Sequence, residues 1–189
     1  MTITTVSTKP HNFDAAAITQ AINNALSGAG IPNTSATRRL VANAHLRIGT
    51  AILRDMGIDR NGVRVIASEI VADTGEPGTA LDDDGVATTL DFAPVRNLVA
   101  SALQIALANL GFEDIAANRE ALGVYALGTG VEMMRAAGVA RRDLFANTFD
   151  AIGREWFTCH KVHIFPRVGT LTVTIVATPA APAETTGEL

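Results

Sequence analysis

Val63-Arg64-Val65-Ile66-Ala67-Ser68-Glu69-Ile70-Val71 decides the fold class of this chain. It follows Asp59-Arg60-Asn61-Gly62, a turn sequence by residue type because Asn and Gly tolerate positive φ. Its valines and isoleucines suit a strand. A second strand signal lies near the C-terminus, where residues 160–167 and 170–178 alternate with period two and Pro166 to Gly169 makes the link. A hairpin of that size is marginal alone. Pairing residues 63–71 with it gives a small, mostly antiparallel three-stranded sheet.

The rest of the chain reads as helix. Asn12 or Asp14 caps a first helix to about Ser27, and Thr34 or Ser35 caps a second to Met56, where Gly57 stands as C-cap. Val41, Ala44, Ile48 and Ile52 form the second helix's buried stripe. Asp91 and Pro94 open a third helix to Leu110, and Glu113 and Asp114 a fourth from Ile115 to about Ala137. Arg141-Arg142-Asp143 starts a fifth, ending near Phe157. The expected fold is therefore α+β: five helices packed on a small sheet with a C-terminal β-hairpin. The expected organisation is an arm over residues 1–10, one globular domain over 11–178, and a Pro/Ala/Thr/Glu-rich tail over 179–189.

Hydrophobic residues make up 48% of the 189 residues and charged residues 18%, and the mean hydropathy is +0.23. The excess is concentrated in Ala/Leu-rich sequence between Pro94 and Gly138. Apolar surface that a domain cannot hide within itself usually ends against another chain. A homo-oligomer or a complex with other protein subunits is the expectation. The longest apolar run, Leu98 to Leu110, covers about 20 Å as a helix at roughly 1.5 Å per residue, short of the ~30 Å of a bilayer core. No membrane association is expected, and the polar, Thr-rich start carries no signal-peptide pattern. A single cysteine, Cys159, fits a reducing compartment, so the cytoplasm is expected, or a virion if the chain is phage-encoded. The net charge of -4 makes nucleic acid an improbable partner. Arginine far outnumbers lysine, which with the abundant Ala and Gly reads as a GC-rich bacterial or phage genome.

Six local patterns bear on chemistry or contact. Ala72-Asp73-Thr74-Gly75, after the stretch quoted above, resembles the strand-to-loop element by which phosphoribosyltransferases hold ribose and 5′-phosphate. The resemblance covers about 15 residues. It departs from that family at Ser68, where an acidic residue is expected beside Glu69, and at Pro77 in the would-be phosphate loop. A strand running into a polar loop over residues 72–89 is the reading preferred here. Asp82, Asp84, Gly85 and Asp91 approximate an EF-hand register that would begin at Ala80, and they read as a solvated acidic loop. Cys159, His160 and His163 lack zinc-ligand spacing, so no metal and no cofactor are expected. His45, beside the second helix's stripe, reads as an ordinary hydrogen-bonded histidine, with general base or anion contact as the functional alternative. The basic pairs Arg38-Arg39 and Arg141-Arg142, with Arg47 near the first pair and Arg167 at the hairpin end, are candidate anion contacts. Gly123, Gly128 and Gly130 put small residues along the fourth helix, where another helix can approach closely.

No nucleophile elbow, Walker sequence, zinc-protease motif or paired-carboxylate constellation is present. The function expected is that of a non-enzymatic structural or interaction subunit of a multi-subunit assembly, associating through its apolar helices. The alternative is a small-molecule enzyme or ligand-binding protein with a polar site between the sheet and the 72–89 loop. Glu69, Asp73 and His163 are its candidate catalytic residues, and Glu69 on a half-buried strand would be an acid/base.

Overall fold

A computed structural model describes residues 14–78, 90–158, 160–163 and 174–179, with side chains to residue 157. The expected arm, most of the 72–89 loop with its aspartates, Cys159, Arg167 and the tail beyond residue 179 lie outside the described residues. Six helices form the body: α1 (Ala15–Gly28), α2 (Ser35–Asp55), α3 (Arg60–Asp73), α4 (Phe92–Asn109), α5 (Ala116–Ala136) and α6 (Arg141–Thr158). The α+β expectation is therefore overturned. The body is all-helical.

The correction turns on residues 63–71, which form the interior of α3. Asp59 does not open a turn into a strand. Its carboxylate caps the helix, accepting from the Gly62 N–H at 2.7 Å. Val63, Ala67 and Val71 recur every four residues and are wholly buried, while Val65 stands 59% exposed. That stripe belongs to period 3.6 and not to period two. With no strand there, the three-stranded sheet and the phosphoribosyltransferase-like element both disappear. The backbone of His160–His163 pairs antiparallel with Thr174–Pro179 as a ribbon of two short strands, the first of them against α2.

The other helices start and stop for local reasons. Asp14 caps α1 through the Ala17 N–H at 3.0 Å, and Thr34 caps α2 through the Thr37 N–H at 3.1 Å. At the end of α2, Gly57 takes φ +86°, and the Ile58 N–H reaches back to the Leu53 carbonyl at 3.1 Å. That left-handed residue ends the helix where a side chain would be strained.

Helix α2 is the axis of the molecule. It is buried around most of its circumference and separates two apolar clusters. One joins α1, α2, α4 and α5 through residues such as Ile22, Ile48, Val99, Leu103 and Leu122. The other joins α2, α3, α5 and α6 through Leu46, Leu53, Val63, Leu127, Leu144 and Ile152. Encasing one helix in four others, α3 to α6, with α1 packed on α4, consumes much of the apolar surface that the sequence carries in excess. Most apolar residues of α4 and α5 face this interior, and the large apolar side chains left exposed among the described residues are Val65, Ile105, Val124 and Phe157.

The crossing of α2 and α5 is glycine-lined. A Cβ on Gly49 would lie 2.7 Å from the Gly123 carbonyl oxygen and 2.9 Å from the Leu127 nitrogen. A Cβ on Gly130 would lie 2.8 Å from the Ala42 carbonyl oxygen. Gly123 and Gly130 thus serve helix packing within the chain, whereas Gly128 faces open space. No helix among the described residues is long and apolar enough to cross a membrane.

Candidate functional site

The polar site expected around Glu69, Asp73 and His163 is not assembled among the described residues. Glu69 and Asp73 are exposed on α3, with no sheet beneath them. His163 lies on the two-stranded ribbon, where side chains are not described. The basic pairs separate as well. Arg39 donates to the Ala137 carbonyl at 3.4 Å and Arg141 to the Val71 carbonyl at 3.3 Å, so each serves the C-terminal end of another helix. Arg142 is exposed beside Asp143, and Arg38 lines a cleft between α1 and α2. No group of three or more His, Cys, Asp or Glu suited to a metal ion occurs among the described residues.

Two other constellations emerge, and neither was visible before the helices were packed. The first is internal. Glu155 of α6 is completely buried, and Arg96 of α4 bridges both its carboxylate oxygens from one Nη at 3.3 Å. Arg54 of α2 donates to the Glu155 backbone carbonyl at 3.0 Å and approaches its carboxylate at 3.9 Å. Burial pushes the Glu155 carboxyl up to about 7, against the opposing pull of Arg96, Arg54 and Arg47. This group ties three helices together inside the protein. Its carboxylate is wholly enclosed and offers a substrate nothing.

His45 is also internal. It is 1% exposed, and burial drives its imidazole down to about 4. Its Nδ1 has no hydrogen-bond partner among the described residues, so it is not the ordinary hydrogen-bonded histidine expected. Nor is it placed to act on solvent-borne substrate. A lowered folded pKa means that stability is full above about 6.5 and is lost as pH falls toward 4. The loss amounts to about 3 kcal/mol over that window. Glu155 acts oppositely, because its raised pKa removes stability as pH climbs from 4.5 to about 7. Relative to wild type, His45→Leu is therefore expected to gain about 3 kcal/mol between pH 7 and pH 4, measured by urea unfolding at each pH. A pH-independent difference would show that the buried imidazole costs nothing to protonate.

The second constellation is on the surface, where α3 meets α6. Arg60 and Arg64 stand one turn apart on α3, and on α6 Phe149, Gly153 and Phe157 repeat every four residues. The Arg60 guanidinium lies 5.3 Å from the Phe157 ring centroid and that of Arg64 5.4 Å from Phe149. Gly153 makes room, since a Cβ there would come within 3.1 Å of Arg60 Nη2. With Asp150 and Arg154 these residues line a shallow depression of about 470 Å³.

The charge balance of this face is uneven. Arg154 is paired with Asp150 at 2.9 Å. Arg60 and Arg64 have no carboxylate partner among the described residues, and the Nε of each is buried without an acceptor. Phe157 is 78% exposed at the edge. Cations stacked on aromatic rings keep their guanidinium planes fixed and partly desolvated, which strengthens their attraction for an incoming anion. The sequence signal for this site was the Arg60–Arg64 spacing, which has meaning only on a helix. No protein-family model, curated protein or solved structure matches this chain.

Proposed function

We propose that the protein is a non-catalytic interaction subunit that docks an acidic segment of a partner protein on its α3–α6 face. The observation that carries this reading is the pair Arg60 and Arg64, each held on a phenylalanine ring, without a carboxylate among the described residues, and beside the exposed Phe157. Arginine and aromatic residues are the side chains that dominate protein-binding surfaces. A partner chain with two carboxylates and one apolar side chain would meet both guanidinium groups and cover Phe157. Association through α4 and α5, the first expectation from composition, is not retained, because those helices spend their apolar faces on the core.

A face of arginines and phenyl rings also suits single-stranded nucleic acid. The balance favours an acidic peptide. The chain is net negative, and of the three arginines at the depression one is already neutralised by Asp150. The test is an NMR titration with a Glu/Asp-rich peptide carrying one leucine, and with oligo(dT) in parallel. The peptide is expected to shift amides of α3 and α6 and to bind at least about ten-fold more weakly to Arg60→Glu/Arg64→Glu. Raising ionic strength from about 0.05 to 0.5 M should weaken it further. Tighter binding of oligo(dT) than of the peptide, or peptide binding unchanged by the double charge reversal, contradicts the proposal.

A further inference from the structure

The end of α1, the connection over residues 29–34 and the first turns of α2 enclose a cleft of about 520 Å³, closed on one side by Met133 of α5. Volumes of this order are typical of small-molecule sites. Its lining is divided. Leu26 and Val41 are buried and join Ile31 and Met133 in an apolar wall, while Asn23, Ser27 and Asn33 supply amide and hydroxyl groups at the mouth.

Among the described residues no carboxylate lines the cleft, and Arg38 is its single charged residue. The Arg38 Nε donates to the Thr34 carbonyl at 3.4 Å, which anchors the guanidinium beside the positive end of α2. Its Nη2 is shielded from water and has no hydrogen-bond partner among the described residues. A cation held against an apolar wall, with no counter-charge among the described residues, selects an anion with a hydrophobic body. A guanidinium N–H to a carboxylate oxygen is a charge-assisted bond, stronger than one to a neutral amide. A phosphate dianion would call for a second cation, and none lines the cleft.

We infer that the α1–α2 cleft binds a small amphiphilic carboxylate, its head on Arg38 and its body against Leu26, Ile31, Val41 and Met133. The cleft shares no residue with the α3–α6 face, so the two proposals stand or fall separately.

Hexanoate, hexanamide and inorganic phosphate titrated against the full chain, followed by amide and methionine-methyl NMR, test the inference. Hexanoate is expected to shift Asn23, Ser27, Asn33 and the Met133 methyl, and to bind about ten-fold more tightly than hexanamide. Arg38→Gln, which removes the charge, should abolish that preference, and Arg38→Lys, which keeps it, should retain part of it. The preference in the wild-type chain needs no variant to fold. Equal binding of hexanoate and hexanamide, shifts confined to other surfaces, or phosphate binding as tightly as hexanoate would each overturn it.

Discussion

Gly49→Ala is expected to destabilise the protein by about 3 kcal/mol, even though alanine is the better helix former by roughly 1 kcal/mol. Its new methyl would sit 2.7 Å from the Gly123 carbonyl oxygen and 2.9 Å from the Leu127 nitrogen, both backbone atoms of α5. Flexible side chains can swing away from a clash of that kind. A helix backbone can yield only by moving as a unit, and α5 is fixed by Leu122, Leu127 and Val131 in the two apolar clusters on either side of α2. Separating the helices opens voids along their whole crossing, so the cost spreads beyond the one contact. Gly49→Val should not fold. The internal control is Gly128→Ala on α5, where a methyl group meets nothing within 4 Å. That substitution is expected to be neutral or stabilising by up to about 1 kcal/mol. Urea unfolding of the three variants gives the comparison directly. A Gly49→Ala variant as stable as Gly128→Ala would mean that α2 and α5 do not cross at this distance.

The second large effect concerns Glu155. Glu155→Ala is expected to cost about 3–5 kcal/mol, because it leaves Arg96, itself 6% exposed, without its buried acceptor. Glu155→Gln retains an oxygen for Arg96 and should cost less than the alanine change. Its cost should also depend on pH in a defined direction. Wild-type Glu155 adds stability below 4.5 that is lost by about 7, and glutamine has no such dependence. The penalty of Glu155→Gln therefore shrinks as pH rises through that window. Arg96→Met combined with Glu155→Leu replaces the pair by apolar groups and should recover most of what Glu155→Ala loses. A double variant as unstable as the single alanine variant would assign the loss to packing and not to the stranded guanidinium.

Much of the helical body was legible because its boundaries are local. Asp14, Thr34 and Gly57 act through hydrogen bonds and backbone angles within a few residues, and those signals read the same before and after folding. The segment 63–71 failed for a specific reason. Val63, Val65, Ile66, Ile70 and Val71 satisfy strand propensity, while Val63, Ala67 and Val71 satisfy a helical stripe from the same residues. Tertiary burial decides between the two readings, and α6 supplies it. The apolar excess is legible in the sequence, but its place in the fold is not. A helix surrounded by four others absorbs more hydrophobic sequence than helices laid on one face of a sheet would. For the surface site the barrier was of another kind. Arg60 and Phe157 are 97 residues apart, and nothing local to either announces the other. Arg47, Arg54, Arg96 and Glu155 are scattered over three helices in the same way.

Residues 60–73 carry the functional reading, since only a helix there sets Arg60 over Phe157 and Arg64 over Phe149. A NOESY spectrum of the full chain measures this directly. The predicted result is a run of α-proton to i+3 contacts along residues 60–73, with cross-peaks joining the Arg60 side chain to the Phe157 ring and Arg64 to that of Phe149. Strong sequential α-proton to amide contacts through residues 63–71, with cross-strand contacts to Thr174–Pro179, would contradict it.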